Sequence, residues 1–511
     1  MKNRYINKGL LAILLAAGVS FTSVSCGSEF IEDVQNKGAF DSDNYFQNEE
    51  QSFTVLISTY DVLRKYSAGF ENSVTFFNAA SDDLYSGGGS ATDGAGIQGM
   101  DTFTIHPNNI PSSYWNDYYQ GIARANLLLE RIGGAEMSDE VRNRFKAEAT
   151  VLRSLYYFEL TRMFGKVPLI LNTISAKDDY FKIPQAEVKD IYTQIESDIV
   201  KVIGDLPLTV GGVDRGRISQ GTARAILGKI YLYDKKNSLA AEQLELVNGT
   251  PGGTSQYGYK LVANYGDLWK TENKFTTESI LEVMHTNKGN SDWGFWGWGN
   301  DEGNSICIMT GLRSYTKKTG DTDTETPKLV SGWAFNPITE EYFNFMGADP
   351  RTDATIFNAK KLKADGKIDY SPAHHDTGYF LNKFMPTEAG KTNLPGAMEL
   401  NFQQNYIAIR LADTYLMEAE ALGGTGARAQ ALLDAVRSRV GLASVPATLA
   451  AVKFERRREL GGEGHRFFDL VRWGEAGSKL AFKGFKVGKN EVLPIPYREL
   501  INTAIEQNPN Y

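Results

Sequence analysis

Near the carboxyl end, Glu455, Glu459, Glu463 and Asp469 stand among Arg456, Arg466 and Arg472. Two carboxylates flanking a glycosidic bond are the minimum for glycoside hydrolysis. A general acid needs a raised pKa, however, and a neighbouring Arg lowers it. Every acid in this cluster has an Arg close by in sequence. The pattern therefore fits Arg–carboxylate pairs that fix helix packing better than it fits catalysis. His374-His375-Asp376 offers metal-ligating residue types. Adjacent residues of an extended chain point to opposite faces, so a surface pair is expected there and no metal centre. Ser86-Gly87-Gly88-Gly89-Ser90 is glycine-rich but lacks the Lys-Ser/Thr of a phosphate loop, and reads as a mobile surface loop.

The tryptophans carry a different chemistry. Asp292-Trp293-Gly294-Phe295-Trp296-Gly297-Trp298-Gly299-Asn300 holds three of the 7 tryptophans, each followed by glycine. Glycine weakens helix and strand interiors, so a loop presenting flat rings is expected. The C–H face of a pyranose can lie on an indole while its rim hydroxyls find a few placed polar groups. Asp292, Asn300 and Asp301 offer such groups at the same spot. The alternative for any single ring is a hydrophobic cluster that pins the loop. Trp333 and Tyr315 lie in the same irregular region, and Asp82, Asp83 and Tyr85 in another. The expected ligand-binding set is Trp293, Trp296, Trp298, Asp292, Asn300, Asp83, Tyr85 and Trp333. No catalytic residue, metal or cofactor is expected.

Composition narrows the function classes. The 511 residues carry 54 Lys and Arg against 62 Asp and Glu, a net charge of −8. The first 25 residues contain Lys2, Arg4 and Lys8 and no acid, so removing them takes the charge to −11. That balance argues against nucleic-acid binding, which needs a basic surface. Two cysteines exclude a disulfide framework and a multi-thiolate zinc site. Residues 1–25 read as an export signal, with a basic start and an apolar run from Leu10 to Val19 too short to span a bilayer. Ser23-Val24-Ser25-Cys26 resembles a bacterial lipobox, which makes Cys26 the expected lipidation site and leaves Cys307 free. The alternative is an ordinary secretory signal with an incidental Cys. Residues 26–45 read as a polar, acidic tether, and no later stretch is apolar enough for a membrane span.

The remaining chain, 46–511, reads as a single domain. Apolar residues recur at helical spacing through Trp115–Leu129, Ala149–Met163, Val188–Val202, Ala223–Tyr233, Leu411–Leu422 and Ala429–Val440. Short late helices are expected at Phe454–Leu460 and Phe467–Trp473. Ser219 is a candidate cap, and Gly165 and Pro168 stop the second of these helices. The helices come in adjacent pairs, mainly within 46–235 and 405–475. From 237 to 404 helical period is lost, leaving loops and short strands such as Ile280–Met284. This stretch and Asn78–Asn109 are the natural places for a site.

Several of these segments resemble the SusD/RagB family of outer-membrane nutrient-binding lipoproteins. They are Lys146–Ala149 with Arg153, Tyr156–Phe158 and Phe164–Leu169, then Tyr406–Ala421, Val436–Arg439 and Gly441-Leu442. The strongest are Glu455–Leu460, Glu463–Arg466 and Asp469–Gly474, followed by Leu493–Pro496 and Gln507–Tyr511, where the family more often has Gly at position 510. The resemblance implies a mainly α fold, with tetratricopeptide-like helix pairs forming a scaffold and a loop-rich region with a few short strands packed on it. It implies a lipid-anchored protein on the outer face of the outer membrane, bound to a SusC-like TonB-dependent barrel transporter. The implied function is non-catalytic capture of a glycan for uptake. A peptide-uptake lid of the RagB type is the alternative, an exported glycosidase another. The clustered indoles favour sugar over peptide, since a peptide groove works largely through backbone pairing.

Overall fold

Asn48, Ser138, Ser219 and Thr448 each accept a hydrogen bond from a backbone N–H in the turn that follows, and each opens a helix. Such caps satisfy donors that have no partner within the helix. The computed structural model describes residues 45–174, 180–289, 303–322, 324 and 326–511. Cys26, the export signal and nearly all of the tether lie outside the described residues, as do Asp292, Trp293, Trp296, Trp298, Asn300 and Asp301.

From Asn48 onward the chain forms one compact unit. Its scaffold helices are α1 (Glu49–Tyr60), α2 (Ser113–Arg131), α3 (Asp139–Phe164), α4 (Val188–Val202), α5 (Gln220–Tyr233), α6 (Asn237–Asn248), α7 (Leu411–Ala421), α8 (Gly426–Arg439) and α9 (Leu449–Glu459). Successive helices pack on one another, α2 on α3, α3 on α4, α5 on α6 and α7 on α8. The contact of α6 with α7 joins the two halves of the scaffold across the intervening sequence. Helix α3 is the axis of the first half: Tyr156, Tyr157 and Phe158 are fully buried. The Tyr156 hydroxyl donates to Thr59 O and the Tyr157 hydroxyl to Ile170 O, so two buried polar groups are satisfied. Helix α2 approaches α3 at Gly121, where a Cβ would lie 2.6 Å from the Tyr156 ring.

The expected helices are present, with one boundary moved. The loop-rich region begins after Asn248, because α6 is a full helix. Its core face is only Ala240, Leu244 and Val247, while Leu239 and Leu246 are exposed, so its periodicity is hard to read in sequence. Beyond it the chain forms short helices and three small antiparallel ladders. Strand β1 (Ser279–Val283) pairs with β6 (Tyr406–Arg410), β2 (Arg313–Lys317) with β4 (Ile368–Ser371), and β3 (Ile356–Asn358) with β5 (Tyr379–Leu381).

The charged carboxyl-terminal cluster lies inside the protein. Arg410, at the end of β6, is 1% exposed. It donates to Glu278 at 2.8 Å, Glu459 at 2.6 Å and Glu463 at 2.8 and 2.9 Å. Arg351 binds Asp349, Glu455 and Glu459 at 2.7–2.8 Å, and Arg439 binds Glu278 and Glu459. Lys383 adds a 2.7 Å contact to Glu463. Burial acts to raise Glu459, but Arg439, Arg410 and Arg351 outweigh it and hold the carboxyl well below its ordinary range. The acids of this cluster are buried and enclosed by cationic partners.

Glu459→Gln is expected to destabilise the fold by about 3–5 kcal/mol, because it strands buried guanidinium charge; urea unfolding measures this, and a loss under about 1 kcal/mol would contradict the clamp. Burial also holds His465 well below 6.5. Its folded-state pKa lies below the unfolded value, so its contribution is complete above pH of about 6.5 and is lost as pH falls. The melting temperature is therefore expected to drop between pH 7 and 5, and to drop less in His465→Asn.

Candidate functional site

Trp333 sits on a short backbone stretch pinned from one side. Its N–H donates to Ile308 O at 2.9 Å, and the Ala334 and Phe335 N–H groups donate to Gly311 O and Met309 O. Ala334 and Asn336 adopt positive φ of 56° and 55°. Non-glycine residues hold this conformation only where the surroundings over-determine it. The result places Trp333 and Phe335 against Phe70, at ring-centroid distances of 6.0 and 5.5 Å. These three rings, with Asp93 and Arg313, line a depression of about 340 Å³.

The glycine-rich stretch packs against Phe335, Arg313 and Asp93 of this lining. It is held, not loose: Gly88 N–H donates to Ala334 O, Asn336 N–H to Ser86 O, and Ser86 to Gly88 are buried. Gly87 has φ of 70°, and a Cβ there would lie 2.3 Å from Ala334 O. Only glycine permits that approach. Gly89 N–H donates to Asp93 Oδ2 at 2.6 Å. Backbone pairing with the Trp333 segment, invisible to local composition, is what removes the expected freedom.

The Trp-rich segment itself lies outside the described residues, but its flanks are placed. Asn287 donates to Lys391 O, and Gly303 N–H to Leu400 O. Ser305 N–H then donates to Ser67 O, and the Ser305 hydroxyl accepts from Gly69 N–H. Ser305 is thereby fixed beside the chain that carries Phe70.

Other expected site residues divide. Tyr85 is half-buried and lines a separate cleft of about 440 Å³. Asp83 is 1% exposed and binds Arg457 at 2.6 Å, so its carboxylate faces the interior and not a ligand. Burial pushes it up to about 6 even so. Burial acts in the same direction on Asp82, but the Arg466 fork, at 2.7 Å to each oxygen, outweighs it and lowers the pKa. Tyr315 is a core residue whose hydroxyl donates to Pro327 O. His374 and His375 do not point apart: their rings stack 3.9 Å apart because His375 takes a left-handed φ of 54°. Among the described residues, no group of three or more His, Cys, Asp or Glu is arranged to hold a metal ion. Phe70, Phe335, Arg313 and Asp93 had no sequence signal as site residues, since long-range pairing alone gathers them.

Comparison with known proteins agrees with this architecture. The model of the SusD family matches residues 259–491, and a second, described as starch-binding associating with outer membrane, matches residues 39–232. A solved laminarin-binding SusD-like protein is 55% identical, with a TM-score of 0.89 over 91% of this chain and all of its own. Surface glycan-binding protein A from Bacteroides thetaiotaomicron, solved with laminarihexaose, is 25% identical with a TM-score of 0.79 over the same share of each chain. SusD-like protein P25 of Formosa agariphila is 22% identical over 96% of both chains. Full-length similarity at this level, on a helical scaffold with the expected loop-rich insertion, is decisive: the chain belongs to the SusD family.

Proposed function

We propose that this protein captures a β-1,3-glucan of the laminarin type at the cell surface, without cleaving it, and passes it to a SusC-like TonB-dependent transporter. The observation that carries the reading is the open depression formed by Phe70, Trp333 and Phe335 with Arg313 and Asp93 at its edge. The half-buried Phe70 and Trp333 rings take the C–H faces of glucosyl units, with the buried Phe335 supporting Phe70, and a guanidinium and a carboxylate take the hydroxyl rim. The 55% identical relative is a laminarin-binding protein, which supports the choice of glucan. Trp293, Trp296 and Trp298, with Asp292 and Asn300, complete the platform in this reading. The carboxylates of the carboxyl-terminal cluster are spent on buried Arg partners, which supports binding without hydrolysis. Acylation of Cys26 tethers the protein to the outer membrane on its external side. Modest affinity suffices there, since a tethered lid keeps its cargo at high effective concentration.

Calorimetric titration with laminarin tests the site. Trp333→Ala, and separately the pair Trp296→Ala with Trp298→Ala, are expected to weaken binding by at least about tenfold with the helical circular dichroism unchanged. Full binding by both would place the site elsewhere. Laminarin incubated with the protein is expected to show no new reducing ends. Cys26→Ala is expected to move the protein from the membrane fraction to the soluble one.

A further inference from the structure

The depression and the Tyr85 cleft are the two ends of one backbone seam. Residues 83–88 run antiparallel to residues 334–339, bridged at Leu84–Ile338 and Gly87–Phe335. Thr339 N–H donates to Asp83 O, Tyr85 N–H to Pro337 O and Gly88 N–H to Ala334 O, each at 2.9 Å. One end of the seam carries Trp333 and Phe335; the other carries Tyr85, Thr339 and Glu340.

Flat side chains continue along this path. His374 donates its backbone N–H to Gly88 O at the Trp333 end of the seam. His375 stacks on it and lies 5.0 Å from Tyr85. Phe482, on the far wall of the Tyr85 cleft, is 64% exposed, an unusual position for a large apolar ring. The Lys483 ammonium lies 5.3 Å from the Tyr85 ring and 6.0 Å from the Phe482 ring. Its own charge is satisfied by Asp101 and by the Ala79 and Leu84 carbonyls, so it braces both rings from behind.

Two polar groups of opposite sign in this cleft, Arg457 and Asp376, are held in place. Arg457 is fixed by the buried Asp83, which explains why that acid lies beneath the surface. Asp376 accepts from the Ala373 and Gly378 N–H groups at 2.9 and 2.7 Å. Rings with fixed, mixed-sign polar groups suit a neutral, hydroxyl-rich ligand better than a charged one.

We propose that the Tyr85–Phe482 cleft is a distal subsite that binds further sugar units of the same glucan chain, so that the protein selects long chains over short ones. This rests on the glucan reading above. Nothing in that reading requires it, since the depression around Trp333 could hold a short oligosaccharide alone.

Titration of the unaltered protein, Phe482→Ala and the Tyr85→Ala/Phe482→Ala pair with laminaritriose and with laminarin tests it. Both variants are expected to bind the trisaccharide within about twofold of the unaltered protein. They are expected to lose about fivefold to tenfold in affinity for laminarin. Unchanged laminarin binding by both variants overturns the subsite. Equal loss for both ligands overturns it as well, because a distal site cannot be felt by a chain too short to reach it. Failure of the unaltered protein to bind either ligand overturns the proposed function, and the extension with it.

Discussion

A buried set of Arg–carboxylate pairs holds the molecule together. Glu278 stands immediately before β1, Arg410 ends β6, Glu459 ends α9, and Arg439 ends α8. Arg351 and Lys383 reach into the same set from the loop-rich region. Each group is removed from water, which is unfavourable for any charge alone. Together they are near neutral and share bidentate hydrogen bonds, so the arrangement is stable only when every partner is present. That all-or-none character locks an irregular stretch of more than a hundred residues onto the helices at one fixed position.

Secure anchoring of this kind allows local strain at the surface. Positive φ at Ser314, Ala334, Asn336 and His375, all outside glycine, gathers around the Trp333 depression and the seam beside it. Each of these conformations is unfavourable by itself and persists where hydrogen bonds from neighbouring chain over-determine it. The Trp333 segment has such bonds from the Ser305–Thr310 helix on one side and the glycine stretch on the other. The backbone that carries these rings is thus held rigid.

Much of this was readable from residue order. Helices α2, α3, α4, α5, α7 and α8 show apolar residues at helical spacing, and Ser219 caps α5 as its side chain suggested. Arg beside every acid of the carboxyl-terminal cluster pointed to structural pairing; the acids are paired, but only Asp469 with those neighbours, while Glu455, Glu459 and Glu463 take Arg351, Arg410, Arg437, Arg439 and Lys383 from elsewhere in the chain. The glycine stretch was misread because local composition describes what a segment can do when free, and Ser86–Gly88 are constrained by Ala334–Asn336, more than 200 residues distant. The two histidines lie at the surface as expected, but a left-handed backbone at His375 stacks their rings where an extended chain would have pointed them apart.

The order of residues was enough to read the helical scaffold, because periodicity and caps are local properties, and its motifs carried the resemblance to the family. Which rings pack together was settled only by folding. Phe70 and Phe335 are 265 positions apart and carry no mark of their own, and Asp83 looks like any loop acid until Arg457 is seen against it. Long-range backbone pairing and charge burial decide those placements, and neither leaves a periodic trace along the chain.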